Sequence, residues 1–401
     1  MASAQNNTIS LGTDSLGKLL AKYSIPAIIA MASSSLYHII DSVFIGHGVG
    51  GAAISGMAIT LPIMNIASAF GAMVGVGAAS RISIRLGEGN KRAAEDILGN
   101  AVLLNLVLGV SIMLIFLFFL DPILVFFSGG EASEETLGYA RSFMRIIMFG
   151  NIITHLYLGL NEQLRASGYP RKAMFIMLLS MALCLILNPI FIFGMGMGVE
   201  GSAWATVIAQ AAQMLVLNAI ALKELKCADA PEPSPGGRQD TLRELTIKIL
   251  RYGIPSGVQS MLNILSFVIF VFLTGKVGDL AFAVSNAAFT VNYLLIAPIE
   301  GIAVGAGVLV GQRQGAGDPQ GAFVNGNRAM VLAEIYIAVS STLVLIFWRD
   351  LLMMFAGGVP AADLESFLSL GFVLFVLMVV WQYCDAADVV LSGALKGAGD
   401  T

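Results

Sequence analysis

Long apolar stretches separated by short polar turns make up most of this chain. A helix needs about 20 apolar residues to cross the hydrocarbon core of a bilayer. Ten stretches reach that length, namely residues 19–45, 51–79, 95–119, 137–160, 172–193, 200–222, 247–275, 280–310, 322–347 and 366–394. The pattern predicts ten membrane-spanning helices, which are numbered one to ten in chain order.

The Lys and Arg residues fall mainly on one side of this pattern. With the N-terminus in the cytoplasm, 18 of them lie in cytoplasmic segments and 4 in outer segments. Cytoplasmic loops of membrane proteins carry an excess of Lys and Arg. The distribution therefore predicts a multi-pass protein of the cytoplasmic (inner) membrane with a cytoplasmic N-terminus.

A stretch rich in proline, glycine and charged residues divides the apolar pattern in two. It lies within residues 223–246, which we interpret as a cytoplasmic linker. The linker separates an N-terminal lobe, residues 1–222, from a C-terminal lobe, residues 247–401. These are called the N-lobe and the C-lobe below.

Motifs of the N-lobe recur in the same order in the C-lobe. Tyr23-Ser-Ile-Pro26 recurs as Tyr252-Gly-Ile-Pro255, and Arg85-Leu-Gly-Glu-Gly-Asn90 recurs as Arg313-Gln-Gly-Ala-Gly-Asp318. Both copies begin on the cytoplasmic side, which predicts parallel repeats related by an axis along the membrane normal. The two prolines bend the first span of each lobe on this reading and are candidate hinges.

The third pair of motifs is Leu164-Arg-Ala-Ser-Gly168 and Leu395-Lys-Gly-Ala-Gly399, and it exposes a difference between the lobes. Two further spans follow the first copy, whereas the sequence ends soon after the second. We therefore expect an all-α membrane protein with two pseudo-symmetric six-helix bundles around a central cavity, the second lacking its last two helices in this chain. The alternative is a protein with ten spans.

Composition narrows the function classes. Charged residues make up 12% of the 401 residues and apolar residues 57%, with a mean hydropathy of +0.83. Soluble domains carry about 25% charged residues, so this chain is neither a soluble enzyme nor disordered. The net charge of −4 provides no basic surface for nucleic acid. Cysteine and histidine spacing predicts no zinc site or disulfide framework, and we expect no cofactor besides a transported ion.

A few acidic residues lie deep in the predicted spans, where charged groups are costly and mark ion or substrate sites. Asp385 and Asp388 are three residues apart on span ten and share a helix face. Two carboxylates so close in a low dielectric resist double ionisation, so the pair favours binding a cation or a proton. Asp41 in span one is a second candidate, and Glu300, beside Pro298, a third.

These motifs together resemble the MATE (multidrug and toxic compound extrusion) family of transporters. The resemblance is carried by Ile40-Asp-Ser-Val-Phe-Ile-Gly46, Arg85 to Asn90, Leu164 to Gly168, Asn188-Pro-Ile-Phe-Ile-Phe-Gly194, Gly201-Ser-Ala-Trp-Ala-Thr206 and the segment from Asp385 to Thr401. It implies two six-helix lobes, alternating access, and export driven by the entry of sodium ions or protons.

The resemblance also implies roles for residues of the N-lobe. Asp41 matches the family's first-helix aspartate at a cation site, and Thr206 matches a threonine of that site. Asn188 stands where some members have an aspartate before proline. Cys184 stands where those members often have asparagine. This chain therefore has one carboxylate and one amide fewer at the site than those members.

In the C-lobe, Asn263 stands where sodium-linked members carry a glutamate. Asp385 matches their aspartate on span ten, and Asp388 replaces a common glutamine. The C-lobe keeps its number of acids but moves one of them. The resemblance leaves the coupling ion, Na⁺ or H⁺, open.

We expect a monomeric secondary antiporter, embedded in membrane lipid, that exports amphiphilic, cationic, drug-like organic compounds. The first alternative is a lipid-linked oligosaccharide flippase of the same architecture, for which Arg141 and Arg145 are the candidate basic residues. The second is an intramembrane lipid-modifying enzyme, although the sequence shows no catalytic constellation. A non-transporting receptor is a third.

Overall fold

The computed structural model describes residues 25–30, 33, 40–41, 43–129, 132–225, 241–356, 360 and 362–400. Helical residues at 25–30 and 43–48 come first. The α-helices that follow are α1 (Gly51–Gly87), α2 (Lys91–Phe118), α3 (Leu120–Phe127), α4 (Glu134–Ala166), α5 (Pro170–Pro189), α6 (Gly198–Leu225), α7 (Leu242–Val277), α8 (Asp279–Gly315), α9 (Pro319–Ile346), α10 (Trp348–Met353) and α11 (Leu364–Ala398).

Nine helices in the described part of the chain are long and apolar enough to cross a membrane. They confirm the predicted spans from 51–79 onward. The first predicted span, residues 19–45, lies largely outside the described residues. Several helices run past the predicted limits, as α1 does to Gly87, because a helix continues into water once its apolar residues end. Helices also extend into the predicted linker at both of its ends, since α6 reaches Leu225 and α7 already begins at Leu242.

The helices of the two lobes match in order and in length. The helices α1 and α8 each contain 37 residues, and α2 and α9 each contain 28. A short helix, α3 or α10, follows in both lobes, and then a long helix, α4 or α11. The predicted parallel repeat is therefore present in the helix order.

The repeated motif at residues 85–90 and 313–318 forms the same turn in both lobes. Gly89 and Gly317 have φ angles of +76° and +73°, which glycine adopts without a steric penalty. Asn90 and Asp318 then cap the following helix, since their side chains accept hydrogen bonds from the backbone N–H groups of residues 93 and 321. The motif thus ends one helix and begins the next with a tight turn.

The two lobes touch where α1 and α8 end. A Cβ added to Gly87 would overlap the carbonyl oxygen of Gln312, and one added to Gly315 would overlap that of Ile84. Gly77 of α1 packs in the same way against the backbone of Ile249 in α7. We call these contacts the inner seal. They lie at the helix ends that the Lys and Arg distribution assigns to the cytoplasm.

The candidate hinge prolines lie in different surroundings. Pro26 is buried within helical residues 25–30, whereas Pro255 is exposed inside α7. The helix α7 is continuous through Pro255. Their role as hinges stays a prediction.

Candidate functional site

Asp41 is a buried carboxylate of the N-lobe, with 7% of its surface exposed. Its Oδ1 accepts a hydrogen bond of 2.7 Å from the Nδ2 of Asn188 and one of 2.8 Å from the Oγ of Ser202. Both donors are fully buried. Hydrogen bonds to an ionised acceptor are stronger than neutral ones, so this pair fixes the carboxylate in one orientation.

Local helix geometry brings the two donors to Asp41. Asn188 precedes Pro189 at the end of α5, where the chain passes into a π-helical turn, Ile190–Gly194. Such π-helical turns are rare in proteins, and those that occur are often found at functional sites. Ser202 lies near the start of α6, whose N-terminal end carries a partial positive charge that favours a neighbouring anion. The amide Oδ1 of Asn188 is buried without a hydrogen-bond partner in the described part of the chain.

Asp41 forms part of the wall of a cavity of about 230 Å³ inside the N-lobe. Ser33 and residues of α1, α4, α5 and α6 complete the wall. Among the described residues that line it, Asp41 alone carries a charge. Uncharged polar lining residues are Asn65, Ser68, Asn151, Thr154, Tyr157, Ser180, Thr206, Gln210 and Gln213.

Sulfur-containing side chains are concentrated in this wall. Five of the 22 described residues that line it are methionines, compared with 19 methionines in the 401 residues of the chain. They are Met57, Met64, Met148, Met177 and Met181. Methionine is flexible and polarisable, so such a wall adapts to ligands of different shape and contacts aromatic rings favourably.

Cys184 and Thr206, singled out by the resemblance, both lie in the cavity wall. The Cys184 Sγ is 3.8 Å from the Thr206 Oγ1, and both residues are buried. The structure thus brings Asp41, Asn188, Thr206 and Cys184, the N-lobe residues that the resemblance singled out, to one region. Sequence reasoning missed Ser202. The available signal was its place four residues before Thr206, which puts both side chains on one face of α6.

The acids of the C-lobe lie on two facing helices. Asp385 and Asp388 are on α11, half-buried and exposed respectively, and Glu300 is exposed on α8. Asp385 interacts electrostatically with Glu300 and with Asp388. Lys396, two turns further along α11, interacts with Asp388 over a longer range. Within the described ranges, no basic side chain forms an ion pair with these three acids.

The repeat indicates where the two aspartates point. When the matched motifs are aligned at Leu164 and Leu395, Asp385 stands at the position equivalent to Thr154 and Asp388 at the position equivalent to Tyr157. Thr154 and Tyr157 line the N-lobe cavity. Asp385 and Asp388 therefore occupy the positions of the repeat that line the cavity in the N-lobe.

Two polar residues near these acids are not hydrogen-bonded to them in the described structure. Gln382, one turn before Asp385, is fully buried and donates a 2.9 Å hydrogen bond to Asn292 of α8. Asn263 is exposed on α7, and in the described structure no hydrogen bond joins it to Asp385. The three acids of the C-lobe therefore lie on α8 and α11.

The comparison with protein families decides the identity of this architecture. The model of the MatE family matches residues 26–190 and 255–401. The chain belongs to the MatE family. The resemblance drawn from the motifs is thereby confirmed, and the protein is a multi-pass member of a transporter family, not of an enzyme family.

Curated relatives of this MatE-family protein carry two kinds of name. It is 34% identical over 197 residues to the multidrug export protein MepA of Staphylococcus haemolyticus, covering 49% of this chain and 43% of that one. It is 27% identical to MepA of Staphylococcus aureus over 68% of this chain and 59% of the relative. It is also 24% identical to the FAD transporter of Shewanella oneidensis, and the match covers 82% of this chain and 72% of the relative. The chain thus spans about half the length of the MepA proteins.

Solved structures establish the fold of the MatE-family protein over nearly its whole length. A MATE protein in complex with MaD3S superimposes with a TM-score of 0.84 at 24% identity, covering 98% of this chain and 85% of that one. An outward-facing multidrug resistance MATE transporter of the MOP superfamily gives 0.81 at 24% identity, covering 97% and 86%.

Proposed function

We propose that this MatE-family protein is a secondary antiporter that exports amphiphilic, cationic organic compounds in exchange for protons or sodium ions. The arrangement of Asp41 carries the proposal. A single carboxylate, held by two buried donors, stands in a polar and methionine-rich cavity. One negative site cannot favour an incoming cation and an outgoing cationic guest at once, so the two compete for Asp41 and their fluxes become linked.

In this proposal, neutral oxygen atoms beside Asp41 complete the binding site for a cation. The partnerless Oδ1 of Asn188 and the hydroxyl of Thr206 are the two candidates. Hard cations such as Ca²⁺ and Mg²⁺ bind oxygen ligands. Na⁺ is also a hard cation, so carboxylate, amide and hydroxyl oxygens suit it as ligands. A proton on Asp41 neutralises the same charge, so both ions remain candidates.

The acids of the C-lobe form a second coupling site in this proposal. Asp385, Asp388 and Glu300 concentrate negative charge between α8 and α11, and binding a cation or a proton relieves their repulsion. Pro26 and Pro255 are the proposed hinges of the first helix of each lobe. We place the protein in the inner membrane as a monomer with a cytoplasmic N-terminus.

The flippase alternative receives less support from the cavity. A pyrophosphate-linked lipid requires basic side chains, and none lines the N-lobe cavity among the described residues. Arg141 is engaged with Asp121 at 2.6 Å, and Arg145 is exposed. Transport of FAD, named for one relative, is a second candidate because that relative shares the longest match reported above. The acidic cavity disfavours the phosphates of FAD.

The test is efflux of ethidium from proteoliposomes under separately imposed sodium and proton gradients. We expect Asp41→Asn to abolish gradient-driven efflux and weaken ethidium binding, while Asp350→Asn, an exposed aspartate of α10, leaves both unchanged. Efflux that persists in Asp41→Asn would contradict the proposal. Flavin dinucleotide transport without ethidium transport would instead favour the second candidate.

A further inference from the structure

A row of buried polar residues runs along one face of α4. Asn151, His155 and Gln163 lie at multiples of four residues from one another, with Gly159 between the last two. Their exposed fractions are 2%, 0% and 0%. Together with Asn105 of α2, which is 1% exposed, they form what we call the α4 polar file.

The end of the file at Asn151 borders the N-lobe cavity. Asn151 lines that cavity, and its side chain donates a 3.2 Å hydrogen bond to the carbonyl of Gly109. The Nδ1 of His155 lies 3.0 Å from the carbonyl oxygen of Asn151. Because a carbonyl only accepts hydrogen bonds, Nδ1 carries the proton, and the neutral imidazole leaves Nε2 as an acceptor. Nε2 has no partner in the described structure.

Glycines make room for the side chains in the middle of the file. Gly71 of α1 and Gly109 of α2 face the His155 ring, and a Cβ at Gly71 would lie 3.2 Å from its carbons. A Cβ at Gly159 would overlap the Asn105 amide and lie 3.8 Å from the Nε2 of Gln163. The two amides therefore converge beside Gly159. The Oδ1 of Asn105 and both amide atoms of Gln163 lack partners in the described part of the chain.

The lower end of the file reaches the inner seal. The carbonyl of Ala166, one turn after Gln163, accepts hydrogen bonds of 3.4 Å from Ser83 and from the Nε2 of Gln312. The Oε1 of Gln312 is buried without a partner in the described structure. At 1.5 Å per residue, the file spans about 22 Å of α4 between the cavity and the seal.

Charged groups do not interrupt this face. Gly71 of α1 and Gly109 of α2 both contact His155 and have no side chain that could titrate. On α4 itself, Tyr157 points to the cavity, and Glu162 and Arg165 form an ion pair with each other. Buried polar atoms without protein partners are normally hydrogen-bonded to internal water.

We propose that the α4 polar file is hydrated and carries protons between the N-lobe cavity and the inner seal, with His155 as the relay. Nε2 accepts a proton from one water and forms an imidazolium. Because Nδ1–H stays hydrogen-bonded to the Asn151 carbonyl, the new Nε2–H bond is the one that breaks, and its proton passes to a second water, beside Asn105 and Gln163. Only N–H and O–H bonds form and break. The inference rests on the proposed antiport and identifies the proton as an ion that the N-lobe moves.

The test compares His155→Gln with His47→Gln in proteoliposomes that contain a pH-sensitive dye. His47 is a matched control because its Nδ1 makes the same bond to the residue four positions earlier, Val43, but on an exposed surface. We expect His155→Gln to lower ethidium-coupled proton flux by about tenfold or more. Exchange of labelled for unlabelled ethidium, which needs no net proton movement, should persist. His47→Gln should change neither.

Unchanged coupled proton flux in His155→Gln, or sodium-driven transport with no proton flux in the wild-type protein, would overturn the inference. A wild-type protein that exchanges no ethidium would contradict the proposed function and not the hydration of the file. Gln163→Met tests hydration separately. If the amide is dry, an apolar replacement raises the melting temperature and overturns the proposal, whereas a hydrated file predicts no gain and a lower proton flux. The Gln163→Met variant also tests the proposal if the His155→Gln variant does not fold.

Discussion

Ser202 and Asp41 are joined by a 2.8 Å hydrogen bond although they lie 161 residues apart in the sequence. The bond links the part of the chain before α1 to α6, and Asn188 of α5 donates to the same oxygen. Three segments of the N-lobe therefore meet at one carboxylate. The arrangement leads to five predictions about the cavity, the acids and the inner seal.

Removing the hydroxyl of Ser202 should weaken the cavity's hold on cations. In Ser202→Ala, Asp41 loses a hydrogen-bond donor and its orientation loosens. We expect a loss of about 1–3 kcal/mol in the free energy of unfolding and roughly a fivefold weaker affinity for ethidium. Thermal unfolding and fluorescence titration measure the two effects. Ser111→Ala removes an exposed hydroxyl that bonds only within its own helix, and should be neutral.

A second carboxylate beside Asp41 should make the protein depend on a cation. Asn188 lies 2.7 Å from Asp41, so Asn188→Asp places two negative groups in contact in a buried site. We expect a lower melting temperature in sodium-free buffer and a marked rise on adding Na⁺, because a bound ion stabilises the folded state. The wild-type protein should show a smaller rise. Equal sodium responses in both proteins would contradict this arrangement.

The inner seal should open when a side chain is added to Gly315. A Cβ there overlaps the carbonyl of Ile84, so Gly315→Ala disfavours the conformation in which α1 and α8 touch. Distances between spin labels placed at the ends of these helices should lengthen. Gly99→Ala is the control, because no atom lies within 4 Å of its added Cβ. Unaltered distances would show that the seal tolerates the extra carbon.

The methionines should set the range of ligands that the cavity accepts. Leucine has a similar volume but a stiffer side chain and no sulfur. We expect Met177→Leu with Met181→Leu to weaken binding of large aromatic cations by roughly threefold to tenfold, with little effect on a small aliphatic ammonium. Met354→Leu changes an exposed methionine outside the cavity and is the matched control. Equal losses for both ligand classes would point to a general packing defect.

Asp385 should be needed for coupling rather than for folding. Its carboxylate interacts with Glu300 and Asp388, and replacing it by Asn relieves that repulsion. We expect Asp385→Asn to retain or raise the melting temperature while abolishing ion-driven ethidium efflux. Vesicle efflux and thermal unfolding are measured on the same preparation. Unchanged gradient-dependent efflux would remove Asp385 from the coupling role.

The membrane helices followed closely from the sequence because a bilayer imposes a simple requirement of length and apolarity. The helices α1 and α8 lie where the apolar pattern predicts them. Helix ends could be read only where a local signal exists. Thr241 and Glu244 form a capping box that starts α7, so this start was readable although the prediction placed it later.

The site was predictable only in part. Asp41 was evident because an acid in an apolar stretch is rare, and motifs supplied Asn188 and Thr206. Ser202 and His155 were not evident, because serine and histidine are common in helices and their importance comes from burial against other helices. The concentration of methionines in one wall also depends on how α1, α4 and α5 pack.

The sequence by itself determined the spanning helices and the order of the repeated motifs, because these depend on apolarity and local turns along one dimension. Tertiary structure alone decided which side chains share a cavity, which donors hold Asp41 and where glycines let the lobes touch. Those contacts join residues more than a hundred positions apart, and the packing angle and rotation of each helix decide which face it turns inward.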